Sequence, residues 1–133
     1  MAGTPTPIFP QTVKNYVAVS ATTTQVTIVT GGTNGTKIES LNVSSTDGSA
    51  QDIVVWMIIS AVSYQLTRVT IPANSGNSAT IPAVDLLRNA QFPSLAYDPN
   101  GNKYLYVANG STLKIATINS ISTITYFAQG GDF

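Results

Sequence analysis

The chain has 133 residues, six Lys or Arg against six Asp or Glu, no histidine and no cysteine. This excludes thiol chemistry, a disulfide scaffold and histidine-based acid–base or metal sites, and a zero net charge gives a nucleic-acid backbone nothing to neutralise. With 43% hydrophobic residues, a chain of this length is expected to bury roughly two-thirds of its unfolded surface around one core. Low net charge also removes the usual electrostatic protection against self-association.

The first twelve residues form a distinct arm. They carry Pro5, Pro7 and Pro10, which fix φ and remove N–H donors, so an extended course is expected rather than a helix or a central strand. Ile8 and Phe9 lie inside this arm and need an apolar surface to lie on. Two surfaces are open to them: an edge of the chain's own core, or a neighbouring subunit. Neither a basic region nor an apolar stretch marks the start as a secretory signal. The longest apolar stretch, residues 53–62, holds ten residues and includes Ser60, against the ~20 that a membrane-spanning helix requires, so no membrane partner is expected.

Residues 13–133 read as a single domain whose apolar period is two. Strands are expected over 13–20, 25–30, 37–44, 52–60, 63–71, 103–108, 112–118 and 123–129, all rich in Val, Ile, Thr and Tyr. Turn signals separate them, including Gly31-Gly32-Thr33-Asn34-Gly35, Asp47-Gly48, Asn74-Ser75-Gly76-Asn77 and Asn109-Gly110. Asn-Gly between alternating runs predicts that 103–108 and 112–118 pair as a hairpin. The run from Ile53 to Ile59 is apolar at every position, as in a strand covered on both faces. Trp56 within it is expected to anchor the core. One helix of at most two turns is expected over 83–89, with Leu86 and Leu87 plugging one end of the fold. Eight strands and one short helix predict an all-β fold, an antiparallel β-sandwich or jelly roll.

Residues suited to chemistry are sparse. Asp98-Pro99-Asn100-Gly101-Asn102 opens like an acidic Ca²⁺ loop, but Lys103 stands where that loop needs Gly and Asn109 where it needs a bidentate Glu. A Pro-Asn-Gly turn explains the same residues. Asp47 and Asp52 could form an acid–base pair across a turn, although a solvated hairpin accounts for them. Tyr97, Tyr104 and Tyr106 suggest an aromatic platform for a sugar or a protein, with Tyr104 and Tyr106 on one strand face and Leu105 and Val107 on the other. The Gly31–Gly35 run lacks the Lys-Ser/Thr ending of a phosphate loop. An enzyme would have to rely on paired carboxylates, so no catalytic activity, cofactor or metal is expected.

Several turn-and-strand motifs carry a resemblance. They are Ser45-Thr46-Asp47-Gly48-Ser49-Ala50, Val69-Thr70-Ile71-Pro72-Ala73 with Gly76-Asn77-Ser78, and Ile81-Pro82-Ala83-Val84-Asp85-Leu86-Leu87. Asp98-Pro99-Asn100-Gly101-Asn102-Lys103-Tyr104-Leu105, Gly110-Ser111-Thr112-Leu113 and the final Gly130-Gly131-Asp132-Phe133 complete them. In this layout the chain resembles the small β-sandwich structural proteins of tailed-bacteriophage virions. The resemblance implies a capsid decoration, or cement, protein that binds the capsid surface and stabilises the head. It further implies synthesis in the host cytoplasm, residence in the virion, and partners in the major capsid protein or other virion proteins. A homo-oligomer is expected, a trimer first. A tail, baseplate or fibre component, or a carbohydrate-binding module for host adhesion, is the alternative. Candidate partner contacts are Pro5, Pro7, Ile8, Phe9 and Pro10 of the arm and Phe133 at the other end of the sequence.

Overall fold

A computed structural model describes residues 12–20, 23–89, 92, 95–97, 101, 103–118 and 123–133. Ten strands follow in chain order: β1 (Thr12–Ser20), β2 (Val26–Thr30), β3 (Thr36–Ser45), β4 (Gln51–Ile59), β5 (Val62–Ile71), β6 (Val84–Asp85), β7 (Ala96–Tyr97), β8 (Lys103–Val107), β9 (Thr112–Thr117) and β10 (Ile124–Asp132). All eight expected strands form. β6 and β7, two residues each, are additional.

Two antiparallel sheets result. One runs β1-β10-β3-β8-β7, with β6 also pairing β3; the other runs β2-β9-β4-β5. Counting only the eight long strands, the orders are first-eighth-third-sixth and second-seventh-fourth-fifth, the arrangement of a jelly roll. Sequential neighbours therefore mostly cross between sheets, and only β4 and β5 among the long strands form a hairpin within one.

The expected hairpin of residues 103–108 with 112–118 does not form. β8 pairs β3 and β7, whereas β9 pairs β2 and β4. Asn109-Gly110 does make a tight turn, closed by the Ser111 N–H donating to the Ala108 carbonyl at 2.9–3.0 Å spacing typical of such turns, here 3.0 Å. The turn carries the chain over the end of the sandwich instead of doubling it back within a sheet. Buried Leu105 and Val107 on one side and Leu113 and Ile115 on the other explain why. Each strand covers a different layer of the same core.

That core fills the space between the sheets, with Ile38, Leu41, Val43, Ile53, Val55, Val69, Ile71, Leu113, Ile115, Ile124 and Tyr126 among its members. Ile38 and Leu41 both face inward although they lie three positions apart, an odd spacing that places residues of a regular strand on opposite faces. The register against β10 shifts between Gln129 and Gly130, and Glu39 is the extra residue on β3. Tyr126 is fully buried and shares a 2.9 Å hydrogen bond with the Ser20 hydroxyl, which settles its polar end inside the core.

Two further expectations change. The helix over 83–89 is a single 3-10 turn, Leu86–Arg88, capped by the Asp85 side chain, which accepts from the Leu87 N–H. Pairing of Val84 and Asp85 with β3 leaves no room for a longer helix. Leu86 and Leu87 are nonetheless fully buried, as expected. Trp56 does not anchor the core. Ile53, Val55 and Met57 of β4 face inward, so Trp56 lies on the outer face, half-buried between its cross-strand partners Lys114 and Gln65. No helix among the described residues is long and apolar enough to cross a membrane.

Candidate functional site

One polar group that joins several strands is the Asp132 carboxylate. It accepts from Lys14 Nζ at 2.5 Å and from the Thr36 hydroxyl at 2.6 Å, while the Gly32 N–H donates to that same hydroxyl at 2.9 Å. The hydrogen bond from Lys14, then that from Thr36, holds the carboxyl below its ordinary range, and the same contact raises the Lys14 ammonium. The cluster ties β1, β10, β3 and the turn before β3 together at one end of the sandwich. Each carboxylate oxygen accepts from a donor of the chain itself, which is the geometry of a fastener.

Other acids among the described residues are also engaged. Asp52 accepts from Arg68 Nε at 2.8 Å and from the Thr70 hydroxyl at 2.5 Å, and these bonds, Thr70 first, lower its pKa. With Asn89 these three residues line an open polar hollow. Asp47 accepts from the Ser49 N–H at 2.8 Å and so closes its own turn. Asp47 and Asp52 thus serve separate turn and strand contacts. Asp85 caps the 3-10 turn and pairs with Arg88. Among the described residues no three acidic side chains gather as a metal site. Residues 98–100 and 102 of the candidate Ca²⁺ loop lie outside the described residues.

The three tyrosines do not share a platform. Tyr104 and Tyr106 alternate with buried Leu105 and Val107 on β8, as expected. Tyr97, however, stands opposite Lys103 and therefore on the face that Tyr104 and Tyr106 do not use. Tyr104 covers Lys37, whose ammonium lies 5.3 Å from the ring centroid and 3.3 Å from Glu39, and whose side chain is fully buried. Tyr106 packs over Gly35, where a Cβ would lie 2.1 Å from its hydroxyl oxygen, and leans on Phe133 with ring centroids 6.1 Å apart.

Phe133 is therefore half-buried on its own chain, and its N–H donates to the Gly35 carbonyl at 3.1 Å. The other candidate contacts, Pro5, Pro7, Ile8, Phe9 and Pro10, lie outside the described residues.

Two of the regions that the fold leaves uncovered are apolar. The outward face of β1 presents Val13, Val17 and Val19 at 80%, 61% and 53% exposure. These valines alternate with Tyr16 and Ala18, which pack on the core. Half-buried Phe127 of β10 stands directly opposite Val17 on that face. A second uncovered region is the β4–β5 hairpin, where Ile59, Val62, Tyr64 and Leu66 are all exposed. Composition gave no signal for either surface, because a valine facing water and a valine facing the core look alike in an alternating run. Comparison with protein-family models, curated proteins and solved structures gives no match to this chain.

Proposed function

We propose that this protein is a structural binding protein of a virion, a capsid decoration protein, which works by laying exposed strand faces on other protein surfaces and catalyses no reaction. The observation that carries this reading is the valine face of β1. Three large apolar side chains in an alternating row, with Asn15 as the only polar interruption, are carried on a nine-residue strand. Burying a valine fully is worth about 1.5–3 kcal/mol. A modest contact of this kind becomes strong when many copies bind a repetitive lattice, because the sites add through avidity. The turn-and-strand resemblance to phage virion proteins supplies the kind of lattice.

A tail or baseplate component would use the same fold and the same face, and differs only in the surface bound. The carbohydrate-binding alternative has less support, since it asks for aromatic side chains on one face and the tyrosines divide between two. Titration against undecorated capsids in a co-sedimentation assay tests the reading. Binding that saturates at a fixed number of copies per capsid is the expected result. A protein that stays in the supernatant with capsids but pellets with tail assemblies, or is retained on immobilised glycans, overturns the capsid assignment.

A further inference from the structure

Two Asn-Gly pairs, Asn34-Gly35 and Asn109-Gly110, lie wholly within the described residues; Asn100 of a third pair lies outside them. Such a pair carries a reaction of its own. The backbone nitrogen of the glycine attacks the side-chain carbonyl carbon of the preceding asparagine. A C–N bond forms, the bond from that carbon to the side-chain nitrogen breaks, and the backbone proton leaves with that nitrogen as ammonia. Solvent water then opens the five-membered imide at either carbonyl, giving aspartate or isoaspartate. Glycine favours the attack because no side chain blocks the approach and its backbone turns freely. The surrounding fold decides whether the nitrogen can reach the carbon.

The two turns differ on this point. At the first, the glycine nitrogen closes the turn: the Gly35 N–H donates to the Gly32 carbonyl at 3.0 Å, and the Gly35 carbonyl accepts from the Phe133 N–H at 3.1 Å. Gly35 is buried. The Tyr106 ring covers it, and the Tyr106 hydroxyl lies 3.5 Å from the Asn34 carbonyl. Bringing this nitrogen onto the Asn34 side chain breaks the bond to Gly32 and displaces the ring. At the second turn the closing bond runs between the flanking residues, from the Ser111 N–H to the Ala108 carbonyl at 3.0 Å. The Asn109-Gly110 peptide is the central one of that turn and stands outside its closing bond. Asn109 and Gly110 are both exposed. Among the described residues nothing lies within 4 Å of where a Cβ on Gly110 would stand.

From this we infer that Asn109 is a site of spontaneous deamidation in the folded protein, and that the fold shields Asn34 from the same reaction. The consequence falls on the crossing between β8 and β9. Gly31 lies against both anchors of that turn: its N–H donates to the Ser111 carbonyl at 2.9 Å, and a Cβ on it would stand 1.9 Å from the Ala108 carbonyl oxygen. Isoaspartate inserts one more backbone carbon between these anchors. Either product brings a negative charge to a chain whose formal net charge is zero. The inference stands apart from the capsid reading.

Ageing the full chain in mildly alkaline buffer below its melting temperature, followed by trypsin digestion and mass spectrometry, tests it. Cleavage after Lys14, Lys37, Lys103 and Lys114 places Asn34 and Asn109 on separate peptides, and each gains about 1 Da on conversion. The folded protein is expected to convert Asn109 at least about ten-fold faster than Asn34, which must wait on local opening. In guanidinium chloride, where both turns are lost, the two rates should converge. The aged wild type should also melt below aged Asn109→Gln, whose longer side chain closes an imide ring far more slowly. No conversion at Asn109, equal rates at the two sites of the folded protein, or a difference that persists in guanidinium chloride overturns the assignment. Equal melting of the aged wild type and aged Asn109→Gln overturns its structural consequence.

Discussion

Asp132 shows how directly a polar contact that joins strands of this molecule can be measured. Asp132→Asn keeps the shape of the side chain but weakens its bonds to Lys14 and Thr36, and should cost about 1–2 kcal/mol near neutral pH. Its folded pKa is lowered, so the wild-type advantage is fully present above the ordinary carboxylate pKa of about 3.9. That advantage is lost as pH falls through the folded value. Thermal melts of both proteins should therefore differ at pH 7 and converge in acid. Backbone crowding gives a second expectation. A Cβ on Gly31 would lie 1.9 Å from the Ala108 carbonyl oxygen, where the crossing between β8 and β9 passes the end of β2. Gly31→Ala should destabilise by about 1–3 kcal/mol, measured by urea denaturation. Neither role was legible in the sequence. Asp132 lies 118 positions from Lys14, and nothing local marks the pair. The buried Lys37 was hidden for the same reason, since its covering ring, Tyr104, comes from another strand.

At the scale of elements the local signals were strong. Alternation of Val, Ile and Thr with turn residues located all eight long strands to within a few positions. It failed where a strand's partner depends on topology. Asn109-Gly110 specifies a tight turn, and the turn is there, but a turn does not say whether the next strand stays in the same sheet. The reverse failure occurs at the one long hairpin. Ser60 and Ala61, between β4 and β5, have φ of 52° and 65°, the left-handed pair that a two-residue hairpin turn requires and that Asn-Gly normally supplies. A non-glycine residue in this region costs roughly 1–2 kcal/mol. Ser60→Asn with Ala61→Gly should consequently raise the Tm by several degrees without altering the core, as differential scanning calorimetry would register. Trp56 was misplaced because Ile53 to Ile59 is apolar throughout, so alternation carries no phase within β4.

For the molecule as a whole, the sandwich was readable because two-residue periodicity, turn spacing and composition all point to layered antiparallel sheets. The surfaces were not, because exposure is a property of the assembled layers. Only the fold shows that β1 turns Val13, Val17 and Val19 to water and that the β4–β5 hairpin exposes Ile59, Val62, Tyr64 and Leu66. Under the proposed reading, the apolar strand faces turned outward are the surfaces that meet other proteins, while Asp52, Asp85 and Asp132 are engaged within the chain. The valine face of β1 is central to that account, and Val17 is its middle residue. Capsid co-sedimentation of Val17→Lys beside the wild type tests it most directly. The account predicts an unchanged melting temperature, since Val17 is 61% exposed, together with at least a ten-fold loss of capsid affinity, about 1.4 kcal/mol. Equal binding by the two folded proteins would contradict it.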